Sequence, residues 1–146
     1  MKCIIFDDDK RNQFLPMTYL RSTGDLRAGI LKLRQRIEYL LEMEESACII
    51  DDELLALYQE RHPDWSINHT GNGDYLFVNS RIRLNNENIT LLRELETNTI
   101  LKNGDTILAI RLTCQEQSLN YSKLLEQSRS CHVIENPEIS CWEYLW

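Results

Sequence analysis

Three groups of residues in this chain have the types and spacing to do chemistry. Asp7-Asp8-Asp9 follows a short apolar run, Cys3-Ile4-Ile5-Phe6. A continuous run of that length reads as a strand buried in a parallel sheet. The acids then fall at its carboxyl end, where open α/β sheets bind ligands. The second group is basic: from Lys10 to Arg36 the chain carries Lys10, Arg11, Arg21, Arg27, Lys32, Arg34 and Arg36 against the single acid Asp25. The third is Asn79-Ser80-Arg81, which leaves a second apolar run, Tyr75-Leu76-Phe77-Val78. A basic segment on a chain of net charge −7 is a candidate anion site. A small phosphorylated ligand suits it. Nucleic acid does not, because it calls for a broad basic face. Plainer uses compete. One acid of the triplet can cap a turn while the others are solvated, and Lys32, Arg34 and Arg36 can line a solvated helix face.

The elements that must position these groups follow from periodicity. Between the acids and the first helix lies a long connection, Lys10 to Gly29, with Pro16, Gly24 and Gly29. Connections longer than about 12–15 residues in compact domains are usually functional or disordered. This one carries Phe14, Leu15, Met17, Tyr19, Leu20 and Leu26, so it is expected to pack. Ile30, Leu33, Ile37, Leu40 and Leu41 recur at helical steps and predict a helix over Ile30–Met43, with Asp25 as its cap. Ala47–Ile50 reads as a strand. Asp51 or Asp52 caps a helix to Arg61, stopped by Pro63. Trp65–Asn68 reads as extended, and Asn85–Glu96 as a helix. Thr99–Lys102 and Asp105–Leu112, joined through Asn103-Gly104, give the strongest hairpin signal. Ser118–Gln127 reads as a last helix and Cys131–Ile134 as a strand.

At 146 residues the chain fits one domain, 1–146, and its 42% hydrophobic and 27% charged content is that of a globular protein. No apolar run approaches the ~18 residues of a membrane span. The start lacks a signal-peptide pattern, so a cytoplasmic location is expected. The five cysteines, Cys3, Cys48, Cys114, Cys131 and Cys141, are odd in number and without close pairing. That pattern reads as reduced thiols rather than a zinc site. His62, His69 and His132 are far apart and read as surface or capping residues. No serine or cysteine sits in a nucleophile elbow.

The stretch from Phe14 to Leu31 contains Leu15-Pro16, Thr18-Tyr19-Leu20-Arg21 and Leu26-Arg27-Ala28-Gly29-Ile30-Leu31. It resembles a bacterial family of sugar nucleotidyltransferases. That family's members look like distant relatives of the bifunctional N-acetylglucosamine-1-phosphate uridylyltransferase. Val78-Asn79-Ser80-Arg81, and Ile107–Leu112 after the Lys102 turn, are similar to two further segments of the family. The resemblance implies an α/β, Rossmann-like domain: a mostly parallel sheet with helices on both faces, to which the hairpin above adds in the C-terminal half. It implies an NTP and a sugar 1-phosphate as substrates, the uridine nucleotide of N-acetylglucosamine being the related product. A sugar phosphate oxygen would attack the α-phosphorus and pyrophosphate would leave. Such transfer depends on in-line positioning and charge neutralisation.

Under that resemblance Arg11 and Arg21 are the catalytic residues, their guanidinium forks suited to phosphates. Asp7 and Asp8 would hold Mg²⁺, which favours carboxylate and water oxygens. Thr18, Gly24, Asp25, Arg27, Asn79 and Arg81 would line the substrates, Gly24 through a nest of backbone N–H groups. Arg27 has the alternative of pairing with Asp25. Family members continue into a left-handed β-helix, and this chain stops inside an aromatic patch, Cys141-Trp142-Glu143-Tyr144-Leu145-Trp146. It is therefore expected to be the N-terminal part of a longer protein, with any oligomer formed through the missing domain.

The sequence also departs from active relatives. Asp7 to Gln13 stands where they carry a glycine-rich loop, Met17 follows Pro16 in place of a lysine, and Asn79-Ser80-Arg81 stands where they carry a metal-binding aspartate. These departures support an alternative, a degenerate domain that binds a nucleotide or a partner without turnover. A further alternative is a phosphoacceptor receiver domain, from Asp7, Asp8, Asp51, Ser80 and Lys102 in order. It requires helix, strand and helix between residues 10 and 46, where the sequence reads as a loop and one helix. A haloacid-type phosphatase fails for want of a threonine or valine after Asp7.

Overall fold

The two uninterrupted apolar runs form the middle of a seven-stranded sheet. The structure is a computed structural model and describes residues 1–143. In chain order the strands are β1 (Lys2–Phe6), β2 (Arg27–Ala28), β3 (Leu31–Lys32), β4 (Ala47–Ile49), β5 (Ser66–Ile67), β6 (His69–Thr70), β7 (Gly73–Asn79), β8 (Thr99–Asn103), β9 (Thr106–Cys114), β10 (Gln117–Ser118) and β11 (His132–Glu135). The helices are α1 (Leu33–Leu40), α2 (Leu55–Arg61), α3 (Asn86–Arg93) and α4 (Tyr121–Gln127).

The main sheet runs β11-β8-β9-β7-β1-β4-β5. β1 pairs in parallel with β7, from Lys2 opposite Tyr75 to Phe6 opposite Asn79. β4 and β5 continue the parallel order on one side, and β8 and β11 are also parallel to each other. Only β9 runs antiparallel to its neighbours, because the two-residue link through Gly104 reverses the chain. Gly104 has φ +59°, the left-handed conformation that tight hairpin turns require. The sheet is therefore mostly parallel, as expected, with a hairpin in the C-terminal half.

Both faces are covered, which is why the central strands are apolar without alternation. Ile4, Phe6, Phe77 and Ile110 pack with Leu124 of α4, and Tyr121 stacks on Phe6 with ring centres 5.6 Å apart. Ile5, Leu76, Val78 and Leu108 face Ile37 of α1 and Ile89 and Leu92 of α3. Beyond the sheet's middle, Cys48 and Ile50 pack with Leu54 and Tyr58. Among the described residues no helix is long and apolar enough to cross a membrane.

Several boundaries differ from the sequence reading, and the largest differences have local reasons. The helix expected over Ile30–Met43 is confined to Leu33–Leu40. Gly29, at φ +80°, turns the chain into the β2–β3 hairpin and leaves Ile30 87% exposed. The first turn is held by Gln35, whose Oε1 accepts the Lys32 N–H at 2.9 Å, so Asp25 is not the cap. At the other end Glu42 takes φ +53° and breaks the helix. α4 starts late because Gln117 and Ser118 pair with β6, and Asn120 caps it by accepting the Lys123 N–H at 2.9 Å. Of the terminal aromatic run, Trp142 docks on Phe14, Leu26 and Leu33, whereas Tyr144, Leu145 and Trp146 lie outside the described residues.

Asn68 extends the sheet where backbone pairing stops. Its Oδ1 accepts the Ile50 N–H at 2.8 Å and its Nδ2 donates to the Ile50 carbonyl at 3.0 Å. Its φ of +51° is one that asparagine tolerates better than most residues. Asn68→Ala removes both bonds and keeps the strained backbone, so denaturant unfolding should show a loss of about 2 kcal/mol. A loss under about 0.5 kcal/mol would contradict that role.

Candidate functional site

β1, β4 and β7 end side by side, and the long connection from Asp9 to Lys32 folds over their carboxyl ends. Asp7 is the first residue past β1 and is buried. Its Oδ2 accepts the Thr23 N–H at 2.8 Å, and its Oδ1 accepts the Gly24 N–H at 3.3 Å and the Ser80 hydroxyl at 2.7 Å. One carboxylate thus ties the strand end to the Thr23–Asp25 turn and to β7. Gly24 is needed for close approach: a Cβ there would lie 3.3 Å from the Arg34 Cβ and 3.4 Å from the Ser80 Cβ. Its N–H points at Asp7, not outward into a nest.

Asp8 turns the other way and meets the buried Arg81. The guanidinium donates through Nε at 3.0 Å and Nη2 at 2.5 Å, the fork geometry that makes such pairs strong. Asn79 joins them, donating from Nδ2 to Asp8 at 3.0 Å and to the Ile107 carbonyl at 2.8 Å, while its Oδ1 accepts the Arg81 N–H. The remaining Arg81 nitrogen, Nη1, donates to the Trp142 carbonyl at 2.8 Å. Burial works against a charged Arg81, but Asp8 overcomes it and raises its pKa above the ordinary arginine value.

Asp25 is a second hub. Tyr58 Oη donates to its Oδ2, while Arg34 Nε at 2.9 Å and Lys32 Nζ at 3.2 Å reach its Oδ1. Tyr58 in turn accepts the Ser22 N–H at 2.7 Å. Burial alone would raise the Asp25 pKa; the Tyr58 hydroxyl and the Arg34 and Lys32 charges together hold it below the ordinary carboxylate value. Burial, followed by the same Asp25 contact, raises the Tyr58 pKa. Sequence reading named Arg34 only within the basic segment and placed neither Tyr58 nor Arg34 at Asp25. Their positions, 33 and nine residues from Asp25, carry no local signal.

Arg11 closes the near side of the connection. Its Nε and Nη2 donate to the Thr18 and Tyr19 carbonyls at 2.9 and 3.1 Å, and its Nη1 sits 3.3 Å from Asp51. Thr18 is fully buried and returns a bond from its hydroxyl to the Arg11 carbonyl at 2.8 Å. These contacts make Arg11 a clasp on the connection. Arg27 is exposed and donates to the Ile30 carbonyl at 2.7 Å, bracing the β2–β3 turn rather than pairing with Asp25. Arg21 is exposed immediately before the buried Ser22–Asp25 segment. Asp51 caps the turn ahead of α2.

The strand-end acids do not fit a resident divalent cation. Every Asp7 and Asp8 oxygen already accepts from a protein donor, and a cation on Asp8 would displace a guanidinium. Among the described residues no cluster of three or more histidine, cysteine or acidic side chains is placed to hold a metal. Nor do residues 10 to 46 supply the helix, strand and helix of a receiver. They form the turn-rich connection, the β2–β3 hairpin and α1.

A family model described as sugar nucleotidyl transferase matches residues 3–146. No curated protein matches the chain.

Burial pushes the Asp7 pKa up from 3.8 to about 6, against the three donors that favour its charged form. A pKa raised on folding means that the native state holds its proton longer than the unfolded chain does. Asp7 therefore makes stability fall as pH rises from about 4 to 6, by a total on the order of 3 kcal/mol. An NMR titration should place the Asp7 carboxyl midpoint near 6. A midpoint at or below 4 would contradict the burial argument. For the Asp8–Arg81 pair, Arg81→Ala should cost about 3–5 kcal/mol by leaving Asp8 buried and uncompensated. The double variant Asp8→Ala/Arg81→Ala should lose clearly less than the sum of the two single losses. Additive losses would show that the pair is not coupled.

Proposed function

Because this chain belongs to the sugar nucleotidyl transferase family, we propose that it transfers a nucleotidyl group from an NTP to a sugar 1-phosphate. The reaction is placed at the carboxyl ends of β1 and β7. The sugar phosphate oxygen attacks the α-phosphorus, the bond to the bridging oxygen of the β-phosphate breaks, and pyrophosphate departs. The observation that carries the reading is that the family match spans β1, the connection over it and β7, the parts that build this edge.

The residues divide by what their donors already hold. Arg21 is exposed beside a turn that Asp7 fixes in place, and it is assigned to the triphosphate charge. Arg27, on the neighbouring hairpin, is assigned to the same anion. Arg11, Thr18, Gly24, Asp25, Asn79 and Arg81 act through the fold, holding the connection and strand ends in register, and are positioning residues. Any divalent cation enters with the nucleotide as part of the substrate, since Asp7 and Asp8 are engaged. UTP and N-acetylglucosamine 1-phosphate are the first pair to try, by the resemblance noted above. Both substrate classes are water-soluble phosphates and the five thiols are free, which supports a cytoplasmic setting.

One observation favours a second reading, binding without turnover. Asp7, Asp8, Asn79 and Arg81 hold one another and the loop, so little polar machinery remains free at the strand ends. Pyrophosphate release separates the two. Each NTP would be incubated with a panel of sugar 1-phosphates, with and without Mg²⁺. Release that needs one sugar phosphate, and falls at least a hundredfold in kcat/KM for Arg21→Ala, is the expected result. Specific NTP binding with no release from any combination would establish the binding-only reading instead.

A further inference from the structure

Arginines account for most of the positive charge here, and several of them face a carboxylate. Arg11 meets Asp51, Arg34 meets Asp25 and Glu38, Arg81 meets Asp8, Arg93 meets Glu42, and Arg111 meets Asp74. Among the described residues, six arginines have no carboxylate at ion-pair distance, and Arg36 and Arg83 are two of them. Yet these two, from elements far apart in sequence, line one cleft together with Ile82, Asn85 and Trp142. The cleft measures about 330 Å³, and among the described residues no acidic one lines it.

Both guanidinium groups are held in place without being neutralised. Arg83 lies over the Trp142 ring, 4.1 Å from its centre, a contact that fixes the plane and leaves the N–H edge free. Arg36 Nη2 donates to the Ala28 carbonyl at 3.0 Å, which anchors one nitrogen and leaves the others. Asn85 caps α3, and its Oδ1 accepts the Glu87 and Asn88 N–H groups at 3.0 and 2.9 Å. What Asn85 offers a ligand is its NH2 group, another donor. The Trp142 wall is itself secured: its N–H donates to the Arg81 carbonyl at 2.7 Å, and its carbonyl accepts from Arg81 Nη1. A small cleft with two anchored guanidinium groups and an amide donor matches one ligand chemistry, a compact oxyanion.

We propose that this cleft binds the phosphate monoester of a small phosphorylated ligand, of the size of a monosaccharide phosphate. Its volume lies at the lower end of small-molecule sites, which run from roughly 300 to 1,000 Å³. That admits a sugar phosphate more readily than a nucleotide. The cleft adjoins the reaction edge through Arg81, which holds Asp8 with one end and Trp142 with the other. Taken with the transferase reading, on which this last step rests, Arg36 and Arg83 hold the acceptor sugar phosphate while Arg21 faces the nucleotide.

The test is calorimetric titration of the purified chain with inorganic phosphate and with glucose 1-phosphate. Wild type should bind both, the sugar phosphate more tightly. Arg83→Ala and Arg36→Ala should each weaken binding at least tenfold. Arg129→Ala, which removes an exposed charge elsewhere, should leave it within twofold. The two arginines sit on separate elements, so if one variant unfolds on heating much earlier than wild type, the other decides. Absence of binding by wild type, or wild-type affinity in both Arg36→Ala and Arg83→Ala, overturns the site. Binding at the cleft without pyrophosphate release leaves the site standing and removes the transferase reading. Release with an unchanged sugar phosphate KM in both variants does the reverse.

Discussion

A buried carboxylate at the end of β1 organises the edge of this sheet. Asp7 receives two backbone N–H groups from the Thr23–Asp25 turn and a hydroxyl from Ser80 at the end of β7. Without those donors a charged group at that depth is expensive. With them, it ties the Thr23–Asp25 turn, which no backbone ladder joins to the sheet, to the paired ends of β1 and β7. The same turn is fixed from behind by Tyr58, which bridges the Ser22 N–H and Asp25. The connection over the strand ends is thereby tied to the sheet, and it leaves Arg21 and Arg27 exposed.

The strand-end acids show how the same residue types serve opposite chemistries. Two aspartates after a parallel strand suit a divalent cation if their oxygens are open. Here Asp8 faces a guanidinium 73 residues away and Asp7 faces backbone amides, so both act as anchors. In the function proposed above, phosphate charge is met instead by arginines that have no carboxylate partner. Those proposed for this role lie at the rim, on the β2–β3 hairpin, on α1 and after β7. Buried ion pairs hold the edge together, and the charges left outside are the ones proposed to meet the ligand.

Much of the fold was legible because it depends on local pattern. Cys3–Phe6 and Tyr75–Val78 read as buried strands since both sheet faces are covered, and Asn103-Gly104 announced its hairpin since that turn demands a left-handed residue. α1 was overextended because Ile30 and Leu31 fit a helical stripe, although Gly29 had already turned the chain into a hairpin. The site was legible as a set of residues more than as a set of roles. Asp7, Asp8, Asp25, Asn79 and Arg81 do converge on one edge. What each does there depends on partners such as Tyr58, Arg34 and Trp142. No spacing rule connects those to it.

The most direct test of this account is amide hydrogen exchange at Thr23 and Gly24. Both residues lie in a long connection that local structure alone would leave open. If a buried Asp7 carboxylate holds their N–H groups, the two amides should exchange as slowly as those of the central strand β7, and Asp7→Ala should release them to the rate of exposed loops. Exchange at loop rates in the wild-type protein would contradict the claim that this carboxylate organises the edge.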